Sequence, residues 1–266
     1  MKPVEIMRGT SPIVLGMPHV GTFLPDDIRD NLNANGQKLA DTDWHIERLF
    51  ADLLPNTTSV QAKFHRYGID ANRDPLGESL YPGQNTTMLV PMSDFDGVDI
   101  WQTVPTTDEV AQRLKSFHAP YHTALTSELE RVRDLHGVAI LFDCHSIRSY
   151  VPFLFEGVLP DLNIGTNNGA TCAPSIERVV FDIAQNADGY SSVLNGRFKG
   201  GWTTRHYGQP VTGIHAIQLE IAQSTYLSAE SAPWVYDPVK ADKLRAHLKT
   251  MLNSLADLAT TLGDSK

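Results

Sequence analysis

Two histidines and one glutamate stand near the ends of three separate apolar runs. His19 lies in Pro18-His19-Val20-Gly21, three residues after a short run, residues 12–15, that ends at Gly16. His145 lies in Asp143-Cys144-His145-Ser146, directly after the apolar run 138–142, and Glu220 interrupts Ala216-Ile217-Gln218-Leu219-Glu220-Ile221. Two imidazoles and one carboxylate are a common donor set for a catalytic zinc ion, with water in the fourth position. Asp41, Asp43 and Glu47 are the candidates for the carboxylate, and each also reads as an acid near a helix start. There is no His-Glu-x-x-His pair, so the donors do not come from one helix. Asp143, two residues from His145, can orient the loop or support a ligand from outside the metal's own donors. A carboxylate buried without a partner is costly, so Glu220 is expected to be paired, exposed at a cleft or shifted in pKa, and beside a metal-bound water it suits a general base. Each residue has a plainer reading: a loop histidine bonded to backbone, a turn aspartate beside an incidental histidine, a glutamate on a surface edge.

Arginines supply the second signal. Arg66, Arg73, Arg148, Arg197 and Arg205 all fall in predicted loops, and residues 195–206 form a cationic, glycine-rich stretch within an acidic chain. Guanidinium forks bind carboxylates bidentately, so the cluster points to a small acid with more than one carboxylate. One loop arginine alone carries little weight. No Walker or Rossmann glycine loop and no Gly-x-Ser-x-Gly elbow is present. Cys144 reads as a small buried residue, not a nucleophile.

Helical periodicity places Ile46, Leu49, Phe50, Leu53 and Leu54 on one face of a helix over 43–54, with Asp41, Thr42 and Asp43 at its start. A strand is predicted over 59–64. A long ordered loop over 76–105 is rich in Gly, Pro, Asn and Thr, and such loops commonly build sites. The spacing then predicts a helix over 108–135, or two meeting near Pro120, ended by Gly137. A strand over 138–142, a helix over 174–187, a strand over 214–221 and a final helix over about 238–260 complete the pattern. Strands alternating with helices predict one three-layer α/β/α domain over residues 1–266, with a mixed, mainly parallel sheet. In such sheets ligands sit beyond the carboxyl ends of the strands, where His19, His145 and Glu220 are expected.

The chain has 266 residues and a formal charge of -9, which argues against nucleic acid or an anionic membrane as partner. Two cysteines in this length fit reduced thiols in a cytoplasm. The N-terminal residues lack a signal-peptide core, and no apolar run reaches the roughly 20 residues that span a bilayer.

Six segments together resemble the N-formylglutamate amidohydrolases: Pro18-His19-Val20-Gly21-Thr22, Asp41-Thr42-Asp43-Trp44, Asp70-Ala71-Asn72-Arg73, Leu80-Tyr81-Pro82-Gly83, Asp143-Cys144-His145-Ser146-Ile147-Arg148-Ser149 and Asn195-Gly196-Arg197-Phe198-Lys199-Gly200-Gly201. The resemblance implies a zinc-carboxypeptidase-like (phosphorylase/hydrolase-like) fold and hydrolysis of N-formyl-L-glutamate to formate and L-glutamate in histidine degradation. It implies one Zn2+, or another divalent ion, held by His19, His145 and a carboxylate, with Glu220 as base. Carboxypeptidases carry His-x-x-Glu, but Thr22 stands three residues after His19, so the carboxylate comes from elsewhere. Asp43 is favoured, with Asp41 and Glu47 open. Asn72, Arg73, Arg197, and Arg148 or Arg205 would hold the two substrate carboxylates. The alternatives are hydrolysis of another acyl group from a dicarboxylic amino acid, and a non-catalytic protein that binds an acidic metabolite.

Overall fold

A computed structural model describes residues 2–79 and 83–263. Seven strands form one sheet: β1 (Val4–Met7), β2 (Ile13–Met17), β3 (Thr58–Ala62), β4 (Ala139–Ile147), β5 (Leu162–Gly165), β6 (Ser192–Leu194) and β7 (Ile214–Ala222). Their order is β1-β3-β2-β4-β7-β5-β6. The four central strands β3, β2, β4 and β7 run parallel, while β1 is antiparallel to β3 and β5 to β7. The sheet is therefore mixed and mainly parallel, as the alternation of strands and helices implies.

Among the described residues seven α-helices accompany it: α1 (Asp26–Arg29), α2 (Ile46–Phe50), α3 (Thr107–Arg113), α4 (Ala119–His136), α5 (Pro174–Gln185), α6 (Trp202–Tyr207) and α7 (Pro238–Gly263). Ile140, Phe142, Ile217 and Leu219 project to one face and pack with Leu244, Leu248 and Leu252 of α7. Ala139, Leu141 and Ala216 project to the other face, against Tyr121, Leu125 and Leu129 of α4. This alternation buries both faces of the central strands, as expected where helices cover a parallel sheet. Among the described residues no helix is long and apolar enough to cross a membrane.

The structure departs from the sequence pattern in several places. β4 runs on through Asp143, Cys144 and His145, because it stays paired with β7 from Ala139↔Ile214 to Ile147↔Ala222. The expected helix over 43–54 is only the five residues of α2. His45 before it has φ 61, and no side chain caps it. Asp41 and Asp43 are thus not helix caps. Helix 107–136 is continuous through a π turn, Leu114–His118, just before Pro120. Proline has no N–H to donate, and its ring crowds the carbonyl four residues back; the widened turn relieves both. The short β1, β5, β6 and α6 carry too few residues to show a period. Residues 76–105 form no helix or strand among those described, and residues 80–82 of the Leu80-Tyr81-Pro82-Gly83 segment lie outside the described residues.

Candidate active site

The centre of the sheet assembles the site from adjacent strands. β2 leads into His19, β4 carries Asp143 and His145, and β7 carries Gln218 and Glu220. In the β4–β7 register Asp143 sits beside Gln218 and His145 beside Glu220. Residues two apart on a strand share a face, so all four polar residues lie on the α4 side, beyond the apolar Leu141 and Ala216. Cys144 points to the opposite face among Phe142 and Leu219, where burial pushes its thiol well up. That location fits its reading as a small buried residue.

His19, Asp43 and His145 bring one donor atom each to within 4.8 Å of one another, all buried. The Nδ1 atoms of His19 and His145 lie 3.6 and 3.2 Å from the same oxygen, Asp43 Oδ2. The other ring nitrogens each face a carboxylate oxygen from behind. His19 Nε2 is 2.7 Å from Asp70 Oδ1, and His145 Nε2 is 3.1 Å from Asp143 Oδ1. Those carboxylates are held in turn: Arg66 donates to Asp70 Oδ2 at 2.7 Å, and the Thr204 hydroxyl donates to Asp143 Oδ2 at 2.7 Å. The Asp43 amide donates to the His19 carbonyl at 3.0 Å, which ties its loop to the end of β2.

This arrangement fits a cation. Arg66 and Arg73 hold the Asp70 carboxyl well below its usual range against the effect of burial, so it is an acceptor and His19 Nε2 carries the proton. His19 Nδ1 then presents a lone pair to Asp43 Oδ2, another acceptor, and it has no hydrogen-bond partner. Two buried lone pairs aimed together at one point, each ring backed by a carboxylate, are the arrangement a metal ion satisfies. Burial opposes charge on both His145 and Asp43. Even so, Asp143 and Asp43 hold the His145 imidazole well up, and the hydrogen bond from His145 keeps Asp43 low. The carboxylates demand positive charge here.

Of the three acids that follow His19, only Asp43 joins the group. Asp41 turns away to accept from the Tyr67 hydroxyl at 2.8 Å and the Phe95 amide at 2.9 Å. Its burial pushes its carboxyl up to about 7. Glu47 lies on α2, outside the group.

The pair of histidines and Glu220 open onto one cavity of about 220 Å³, which suits a small metabolite better than a drug-sized ligand. Arg66, Asn72, Arg73, Arg197 and Gln218 line its polar side, and Leu89, Phe95, Ile147, Leu154 and Phe198 its apolar side. Burial pushes Glu220 up to about 7; the His145 charge pulls it down and the Asp43 charge raises it further. Gln218 Nε2 donates to Glu220 Oε2 at 3.0 Å. Asn72 accepts at Oδ1 from the Thr203 amide at 2.8 Å, with its Nδ2 3.3 Å from His145 Nε2.

The arginines divide. Arg73 donates to the Thr87 carbonyl and hydroxyl at 2.8 and 2.7 Å, and Arg197 to the carbonyls of Leu154 and Asn85, both at 2.9 Å; each lines the cavity. Arg148 and Arg205 are not among the lining residues. Arg148 pairs with Asp96 at 2.9 Å, and Arg205, one turn into α6, folds back onto the Gly200 carbonyl at 2.8 Å. Arg66, only one of several loop arginines in the sequence, is buried at the cavity wall with its guanidinium 4.8 Å from the Phe95 ring centroid. Thr204 and Gln218 are not singled out by the sequence pattern, and Asp70 enters only within the segment Asp70-Ala71-Asn72-Arg73. Gln218 had a visible signal, since it stands two residues before Glu220 in an otherwise apolar strand.

The family model for N-formylglutamate amidohydrolase matches residues 11–227. The chain belongs to the N-formylglutamate amidohydrolase family. It is 43% identical over 259 residues to the N-formylglutamate deformylase of Pseudomonas putida, covering 96% of both chains. It is 44% identical over 256 residues to the deformylase of Pseudomonas aeruginosa, covering 95% of both. The crystal structure of N-formylglutamate amidohydrolase from Ralstonia eutropha JMP134 superposes with a TM-score of 0.81 at 25% identity, over 97% of this chain and 98% of that one. Of the segments that resemble the N-formylglutamate amidohydrolases, those containing His19, Asp43, Asn72, His145 and Arg197 converge on the cavity and the group behind it.

Proposed function

We propose that this chain hydrolyses N-formyl-L-glutamate to formate and L-glutamate. The observation that carries the reading is a single small cavity shared by the histidine pair, Glu220 and three arginines, in a chain so similar to two deformylases. Arg73, Arg197 and Arg66, with Asn72, are assigned to the two substrate carboxylates, which leaves the formyl carbon near His19 and His145. Arg148 and Arg205 drop out of that set because they stand off the cavity wall. A divalent ion, zinc by its nitrogen-rich donor set, would be held by His19, Asp43 and His145 and would supply Lewis acidity to the formyl carbonyl and the attacking water. Glu220 takes the proton of that water as the new C–O bond forms. It then delivers the proton to the glutamate nitrogen as the C–N bond breaks. A carboxylate facing the same cavity as the histidine pair can do both. The arginines fix the acyl group relative to Glu220, and such positioning contributes several kcal/mol in bound reactions. The family's place in histidine degradation, and a reducing cytoplasm for the two free, buried cysteines, belong to the same reading.

The test is formate release from N-formyl-L-glutamate before chelation, after it, and after zinc add-back. Turnover lost with chelator and regained with zinc is expected. An absence of turnover in the zinc-loaded protein sinks the reading, and other N-acyl dicarboxylic amino acids are then the substrates to try. Glu220→Gln should keep metal and substrate affinity while kcat falls by ~10²-fold or more.

A further inference from the structure

Gln218 is buried in β7 on the face that carries Glu220, and it bridges two parts of the site. Its Oε1 accepts from the Gly201 amide at 2.6 Å, and its Nε2 donates to Glu220 Oε2 at 3.0 Å. The Gly201 N–H can only donate, so it fixes which end of the side-chain amide faces it. The other end, an N–H, must face the glutamate. Gly201 is itself held in place. A Cβ there would stand 2.2 Å from Asn72 Nδ2, so only glycine lets the backbone reach this position. The next residues start α6, whose Thr203 amide holds Asn72 and whose Thr204 hydroxyl holds Asp143.

We infer that Gln218 is a positioning residue for the reaction: it locks the Glu220 carboxylate by Oε2 and directs Oε1 to the water. The inference rests on the assignment of Glu220 as base. The proton passes from water to Glu220 Oε1 and from there to the departing nitrogen, while Oε2 stays bonded to the amide of Gln218. Without that bond the carboxylate turns about its terminal torsion, which is soft in glutamate. The same amide ties the base to the glycine-rich stretch 195–201, which brings Arg197 into the cavity. Substrate-carboxylate binding and base alignment therefore share one rigid connection through Gly201.

The experiment compares five zinc-loaded proteins: wild type, Gln218→Met, Gln218→Glu, Glu220→Gln, and the double variant Gln218→Met with Glu220→Gln. Methionine keeps the length of the side chain and loses both hydrogen bonds. The expected result for Gln218→Met is a fall in kcat of ~10–100-fold with KM within about threefold, the pattern of a lost transition-state interaction. In the Glu220→Gln background the same change should cost almost nothing further, since its effect acts through the carboxylate. Gln218→Glu is the second variant. It keeps an acceptor for Gly201 but sets a like charge against Glu220, and it should lose at least as much kcat. Normal kcat in Gln218→Met, or a full additional loss in the double variant, overturns the inference. An active Glu220→Gln enzyme instead overturns the base assignment, and an inactive wild type overturns the deformylase reading.

Discussion

At the scale of single residues, the chemistry was legible where a polar side chain interrupted an apolar run. His145 and Glu220 show themselves that way, because nothing but function or pairing justifies their place in β4 and β7. The sequence favours Asp43 over Asp41 and Glu47 but does not separate them cleanly. All three lie on the same stretch, and only the turn that brings the Asp43 amide to the His19 carbonyl separates them. Asp70 was visible as part of a motif, yet its contact with His19 depends on a fold between positions 51 residues apart. Its anchoring of the imidazole makes a specific prediction. Asp70→Asn leaves His19 in place but weakens the acceptor that fixes its tautomer, so zinc affinity should drop ~10–100-fold. Competition with a chromogenic chelator measures this directly, and unchanged affinity would show that Asp70 serves Arg66 alone.

At the scale of elements, the long regular pieces could be read and the short ones could not. α7 shows its apolar stripe through Leu244, Leu248, Met251, Leu252 and Leu255, and all five are buried against the sheet. α6, with six residues, shows no such stripe, though it holds both Asn72 and Asp143. The end of β4 is not legible, because Asp143 and His145 look like loop residues until their pairing with β7 is known. The end of α4 was legible through Gly137, which has φ 72. A side chain there is disfavoured by that backbone angle, and a Cβ would also meet the Gly263 carbonyl oxygen at 3.0 Å. Gly137→Ala should therefore destabilise the protein by about 1 kcal/mol or more, seen as a lower urea midpoint with an unchanged slope. Leu248→Ala, fully buried between α7 and the sheet, should cost more, about 2–5 kcal/mol in the same assay.

At the scale of the whole molecule, the acidic chain gathers three arginines, Arg66, Arg73 and Arg197, on one cavity alongside Asp74, Glu78 and Glu220, and net charge alone gave no hint of that. What holds the segment Asp70-Ala71-Asn72-Arg73 from outside is a layer of histidines on the helix behind it. His122 Nε2 lies 2.8 Å from the Ala71 carbonyl and His118 Nε2 lies 3.1 Å from the Arg73 carbonyl, on either side of Asn72. Both rings must be donors there, so His122 Nδ1 accepts from the Tyr207 hydroxyl at 3.0 Å. Burial, helped by the His118 and His206 charges, pushes His122 down to about 3, against the hydrogen bond to Ala71. Burial likewise lowers His118 and His206, with Asp74 acting against it at both. A histidine with a depressed folded value takes up its proton more readily in the unfolded chain. Its contribution to stability is therefore complete above the unfolded value near 6.5 and is lost as pH falls from there toward 3. Urea unfolding followed from pH 7 to pH 4 should show stability falling with acid, with His122 responsible for up to a few kcal/mol. In His122→Gln, which can still donate to Ala71 and no longer titrates, the slope over that window should be shallower. An unchanged slope would place the acid sensitivity in other buried groups, with His65, also lowered by burial, the next to replace.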